Sequence, residues 1–291
     1  MRTKLLAASF AAFLARSVLS VAPSGCGSTG SDRFAFDARA GGIARDGAAP
    51  FTFTNETGWT VTLTRATVTI GPVYLNVVAP LRDDTSSWVP WLGVRRAYGD
   101  DDHLGEGREA GEVLAQVTFD ALSPGLVPFA VQGTMAQDQV RTAEIWLWPP
   151  PGVSPETVKI DAAAVDFAGE ATRADARVRF RGTLVLDDAW TTDARPGERS
   201  AQPVTSLRKV RGIPTSFLPT AGGALEIRVD VRPLFRGADF SNLQANPVDE
   251  DGTKILVQSR TGRVTTDQVM RNVFQGLRAS TGTYAVRWID P

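Results

Sequence analysis

The chain has 291 residues, 31 of them basic and 32 acidic, with 43% hydrophobic residues, one cysteine and one histidine. So even a balance supplies no global field to recruit nucleic acid or an anionic surface, and no nucleic-acid partner is expected. One cysteine excludes an intramolecular disulfide, and one imidazole excludes multi-histidine metal sites while leaving Ser-His-Asp or Cys-His catalysis only His103 to run through.

Arg2 and Lys4 precede the apolar run Leu5 to Leu14, the charge and hydropathy pattern of an export signal over residues 1–25. The run is too short to cross a bilayer, which takes about 20 apolar residues. Two processing sites compete. Ser20-Val21-Ala22 satisfies the small-x-small rule of ordinary signal peptidase, but cutting there leaves Pro23 first, which that enzyme tolerates poorly. Ser24-Gly25-Cys26 resembles the lipobox of bacterial lipoproteins, with Pro23 standing where Leu, Val or Ile is usual. That resemblance implies acylation of Cys26 and a lipid anchor in the Gram-negative outer membrane, on its periplasmic or its surface side. Residues 26–33, rich in Gly and Ser, then form a flexible tether.

Beyond the tether the expected fold is all-β, mainly an antiparallel sandwich, over residues 34–190 and a β-rich part at 200–291 in the same or a second domain. In the stretch from Trp59 to Leu75, Val61 and Leu63 lie on one parity and Val68 and Ile70 on the other. A one-residue slip flips the faces, so a bulge is expected near Arg65-Ala66. The segment Asn55-Glu56-Thr57-Gly58-Trp59 through Arg65-Ala66, continuing as Ile70-Gly71-Pro72-Val73-Tyr74-Leu75, resembles the opening of a set of uncharacterised bacterial envelope lipoproteins. More distantly it is similar to MbnP-type periplasmic copper-handling proteins. This resemblance implies a β-sandwich, but the copper proteins hold metal through histidines and a modified tryptophan, and here only His103 is available.

Trp88 and Trp91 flank Pro90 in a loop, the placement of an exposed platform for a sugar ring. Asp100, Asp101, Asp102 and His103, with Glu106 and Glu109 near, are the densest set of potential metal ligands. Their carboxylates suit calcium and the imidazole suits copper, although the order matches no EF-hand and Asp runs in Gly-rich loops are usually just solvated. Val113, Ala115, Val117 and Phe119 alternate with Leu114, Gln116, Thr118 and Asp120 as a strand would, and further strands are expected at 142–148 and 157–167. Trp146 and Trp148 share a strand whose other face carries Ile145 and Leu147, which places both in a core.

Val178, Phe180, Gly182, Leu184 and Leu186 alternate with Arg177, Arg179, Arg181 and Thr183, and Leu225, Ile227, Val229 and Val231 alternate with Glu226, Arg228, Asp230 and Arg232. Both are strands with one buried and one solvated face. The polar run 191–203 is a boundary or a long loop. Arg232 to Arg236, with Pro233, reads as a short helical turn, and Asp249 to Thr253 as a turn before a strand at Ile255 to Val257. Thr265 and Gln268 have capping-box spacing ahead of Val269, Val273, Phe274 and Leu277, which predicts one amphipathic helix over 266–279. Tyr284, Val286 and Trp288 form a last strand.

The function expected on these grounds is that of a lipid-anchored envelope protein with a non-enzymatic binding or structural role and a protein or glycan partner. A periplasmic calcium- or copper-binding protein through Asp100, Asp101, Asp102 and His103, and a carbohydrate-binding or carbohydrate-active module through Trp88 and Trp91, are the alternatives.

Overall fold

Alternation of apolar and polar side chains builds two facing sheets in the computed structural model, which describes residues 33–43, 50–78, 109–148, 163–186, 208–258 and 267–291. The early strands are β1 (Arg33–Gly42), β2 (Phe51–Thr54), β3 (Thr60–Ile70), β4 (Val73–Asn76), β5 (Glu109–Val113), β6 (Val117–Asp120), β7 (Val127–Pro128) and β8 (Gly133–Ala136). The later ones are β9 (Val140–Trp146), β10 (Val165–Arg173), β11 (Ala176–Leu184), β12 (Lys209–Phe217), β13 (Ala224–Val229), β14 (Lys254–Leu256) and β15 (Tyr284–Ile289). One helix, α1 (Gln268–Leu277), is described. The chain is therefore an all-β, sandwich-like fold with a single helix.

The larger sheet has nine strands in the order β12-β9-β4-β5-β8-β1-β13-β15, with β7 also on β1. It curls until its outer strands meet: the Thr215 hydroxyl on β12 donates to the Val286 carbonyl on β15 at 2.8 Å, and the Phe217 ring stacks on Trp288 at 5.7 Å. The smaller sheet has six strands, β14-β11-β10-β3-β2 with β6 also on β3. β1 beside β13, β9 beside β12 and β11 beside β14 bring strands from both sides of the 191–203 run into the same sheets.

The core of the smaller sheet is aromatic. Phe235 lies 5.3 Å from Phe167 and 5.8 Å from Phe180, and Phe240 lies 4.8 Å from Phe180 and 5.6 Å from Trp59. Phe235 and Phe240 come from two 3₁₀ turns, Arg232–Phe235 and Phe240–Asn242, and α1 packs on the first of these. Phe180 therefore points inward, and Arg179 and Arg181 point outward, as the alternation requires.

Four sequence expectations change in detail. The slip in β3 is real, but its extra residue is Thr64: Leu63 faces Gly169 and Arg65 faces Ala168, so Ala66, Val68 and Ile70 all return to the core. Gly169 permits this approach, because a Cβ there would collide with the Thr62 carbonyl. The alternation from Val113 to Phe119 is not one strand; β5 ends in the larger sheet and β6 starts in the smaller one. Ala115 stays buried through the crossing, which is why the pattern reads as unbroken. The strand expected at 157–167 runs from Val165 to Arg173, past the apolar stretch that suggested it; residues 157–162 lie outside the described residues. Helix α1 is capped by Asp267, whose carboxylate accepts from the Val269 and Met270 amides, while Gln268 donates to the Gly237 carbonyl and accepts from the Asp239 amide instead of reaching back to the cap. Thr265 lies outside the described residues.

Candidate functional site

Cys26, Trp88, Trp91, Asp100, Asp101, Asp102 and His103 all lie outside the described residues. Of the other residues singled out in the sequence, Trp146 and Trp148 are buried at 4% and 6% exposure, as their two apolar faces require. Asp249 to Thr253 is a tight turn, its Asp249 carboxylate accepting from the Asp251 and Thr253 amides. That set of acids caps its own backbone.

Among the described residues, the surface that stands open is an edge. β14 is registered against only Phe180, Arg181 and Gly182 of β11, so no described strand flanks Ala176 to Arg179 on that side. Which main-chain groups face outward follows from Val185 just beyond the strand: its amide donates to the Gln258 side-chain oxygen at 2.7 Å, and its carbonyl accepts from the Gln258 amide nitrogen at 2.5 Å. Both groups of Val185 therefore point toward the β14 side. Strand geometry repeats every two residues, which turns the main chains of Arg177 and Arg179 toward the same side and those of Val178 and Phe180 toward β10. A cleft of about 520 Å³ lies there, lined by Arg177, Val178, Arg179, Gly252 and Lys254.

The charge in the cleft is positive. Arg177 spends its guanidinium on Glu170 at 2.7 Å. Arg179 donates to the Asp251 carbonyl, and Lys254 donates to the Gln244 and Asn246 carbonyls at 3.3 and 3.5 Å. Main-chain oxygens hold these two cations in place without neutralising them, and no carboxylate is among the described lining residues. Of the acids nearby, Asp166 pairs with Arg65 at 2.9 Å and Asp249 with Arg181 at 3.5 Å, while Glu250 and Asp251 stand in the turn before Gly252. Outward-facing amide donors beside unneutralised cations can hold an anionic, hydrogen-bonding group.

The other polar clusters are closed. Glu144 is 2% exposed, with Lys209 Nζ 3.3 Å from one carboxylate oxygen, Arg211 Nε 3.3 Å from the other, and the Lys209 ammonium 4.6 Å above the Trp146 ring. Asn55 ties the start of β3 to the 3₁₀ region, donating to the Phe235 and Ala238 carbonyls while accepting from the Thr57 and Trp59 amides. Asp239 sits beside it. Its carboxyl is held below the usual range by the Ser241 amide and hydroxyl, against a smaller opposing effect of burial, with help from the Trp59 indole and Arg173. The Tyr284 hydroxyl, fully buried and donating to the Leu277 carbonyl at 2.6 Å, has its ionisation pushed well up by burial. These groups hold segments together.

The open edge was missed in the sequence because a strand's alternation gives its faces and is silent about its neighbours. The available signal was the row Arg177, Arg179, Arg181 beside a turn-flanked strand of only three residues. Among the described residues no three His, Cys, Asp or Glu side chains converge, and no described helix is long and apolar enough to cross a membrane. No family model, curated protein or solved structure matches the chain.

Proposed function

We propose that the chain is a lipid-anchored protein of the Gram-negative cell envelope that acts by binding a partner at the edge of its smaller sheet. The observation that carries the binding role is the cleft beside Arg177 to Arg179, where outward amides and two cations with no carboxylate partner among the described residues offer recognition chemistry. The anchor rests on the basic start, the apolar run and the Ser24-Gly25-Cys26 sequence. Acyl chains contribute about 0.8 kcal/mol per buried methylene, and two or more of them hold a protein durably at a bilayer.

Mass spectrometry of the membrane form tests the anchor. The expected chain starts at Cys26 and carries added acyl mass; an unmodified chain starting anywhere else overturns it. Cys26→Ala should release the protein from the membrane fraction without altering its thermal unfolding.

A further inference from the structure

Within the binding role just proposed, we infer that the open edge of β11 takes an extended acidic peptide as an added strand. The proposal rests on that reading and names the partner class for the same surface. Three observations converge on it.

The first is the direction of the main chain. Gln258 satisfies the Val185 amide and carbonyl with its side chain, in the way a neighbouring strand would, and β14 takes over at Phe180 to Gly182. Toward Ala176 that cover stops, while β10 still pairs on the far side as far as Arg173. A peptide continuing the ladder meets main-chain groups already aligned, so hydrogen bonding supplies affinity and alternate side chains supply selection.

The second is room. β14 is covered on its own outer side by the Val248 bridge to Lys254 and by the Ile255 amide donating to the Pro247 carbonyl at 2.8 Å. Before Lys254 the chain turns away through Asp249 to Gly252, with Gly252 at a φ of 74°, a conformation that favours glycine. The cleft of about 520 Å³ opens where it leaves.

The third is charge and its spacing. Arg177 and Arg179 lie on the outer face and Val178 on the half-buried inner face. A strand laid beside them presents its own side chains with the same period of two, so an outer position meets the Arg179 guanidinium, Arg177 being held by Glu170, and an inner position meets Val178. The fitting sequence alternates acidic and apolar residues.

The probe is an acetylated, amidated five-residue peptide of alternating Glu and Val, titrated calorimetrically into the full purified chain. Controls are the same peptide N-methylated at alternate main-chain nitrogens, the peptide with Lys for Glu, and inorganic phosphate. The acidic peptide should saturate, Arg179→Glu should weaken it by about tenfold or more, and the N-methylated and Lys peptides should fail. Arg177→Pro, which removes one edge donor at a position where an edge strand tolerates proline, should also weaken it while the melting curve stays cooperative. Equal binding of the N-methylated peptide, phosphate binding as tightly as the peptide, or no binding of the acidic peptide overturns the proposal. A chain without acyl mass that binds the peptide sinks the anchor alone; an acylated chain that ignores the peptide sinks the added strand alone.

Discussion

Asp267 gathers more of the fold than any other carboxylate described. One of its oxygens accepts from the Val269 and Met270 amides at 3.0 and 3.2 Å, and the other accepts from the Asn246 side chain at 2.7 Å and the Val257 amide at 3.2 Å. It thus caps α1 and fixes two loops to that cap. Asp267→Ala should cost about 2 to 3 kcal/mol, a lost cap plus buried donors left without an acceptor, read as a lower urea midpoint with an unchanged slope. The sequence placed the helix but named Thr265 as its cap, because Ser, Thr, Asp and Asn all suit that position and only tertiary contacts decide among them. Lys209 makes the same point about charge. It lies 65 positions from Glu144, so nothing local announces the pair, and only the β9–β12 pairing joins them. Lys209→Ala strips one of two cations from a carboxylate that is 2% exposed, leaving Arg211 on the other oxygen, and should cost about 1.5 to 3 kcal/mol, measured by denaturant unfolding.

Among the elements, those with strict alternation were legible: β11, β13, β15 and the amphipathic helix stand close to where the pattern puts them. Elements that change sheet were not. Val113 to Phe119 keeps its parity across the passage from β5 to β6, so the side-chain pattern carries no mark of the crossing. Docking of α1 was equally hidden. At Gly276 a Cβ would stand 2.6 Å from the Leu234 Cα and from the Pro233 carbonyl oxygen, so the helix lies on the 3₁₀ turn with no space for a side chain. Gly276→Val should therefore destabilise the protein by about 1 to 3 kcal/mol through overpacking, although valine costs less than glycine within a helix. Unchanged thermal stability of that variant would contradict the close approach.

At the scale of the whole molecule, acid should weaken the fold through one group on the larger sheet and one at the cap of a 3₁₀ turn. Burial raises the Glu226 ionisation, but hydrogen bonds from Arg228 and Arg287, at 2.8 and 3.0 Å, together with their charges outweigh it and hold the carboxyl below its usual range. Asp239 is likewise held low. Folded values below unfolded ones give stability that is present above the unfolded value and lost as pH falls through the folded one. Unfolding free energy should thus decline below about pH 4, and Glu226→Gln should flatten part of that decline. An identical slope in the variant would show that Glu226 contributes nothing to it. Fold class was legible from alternation; strand order was not, and the open edge is a property of order. The most direct test of that edge needs no ligand. Amide hydrogen exchange in the full chain should find Arg177 and Arg179 poorly protected while Val178 and Phe180, turned toward β10, exchange slowly. Equal protection at all four positions would mean that the edge is closed and the account wrong.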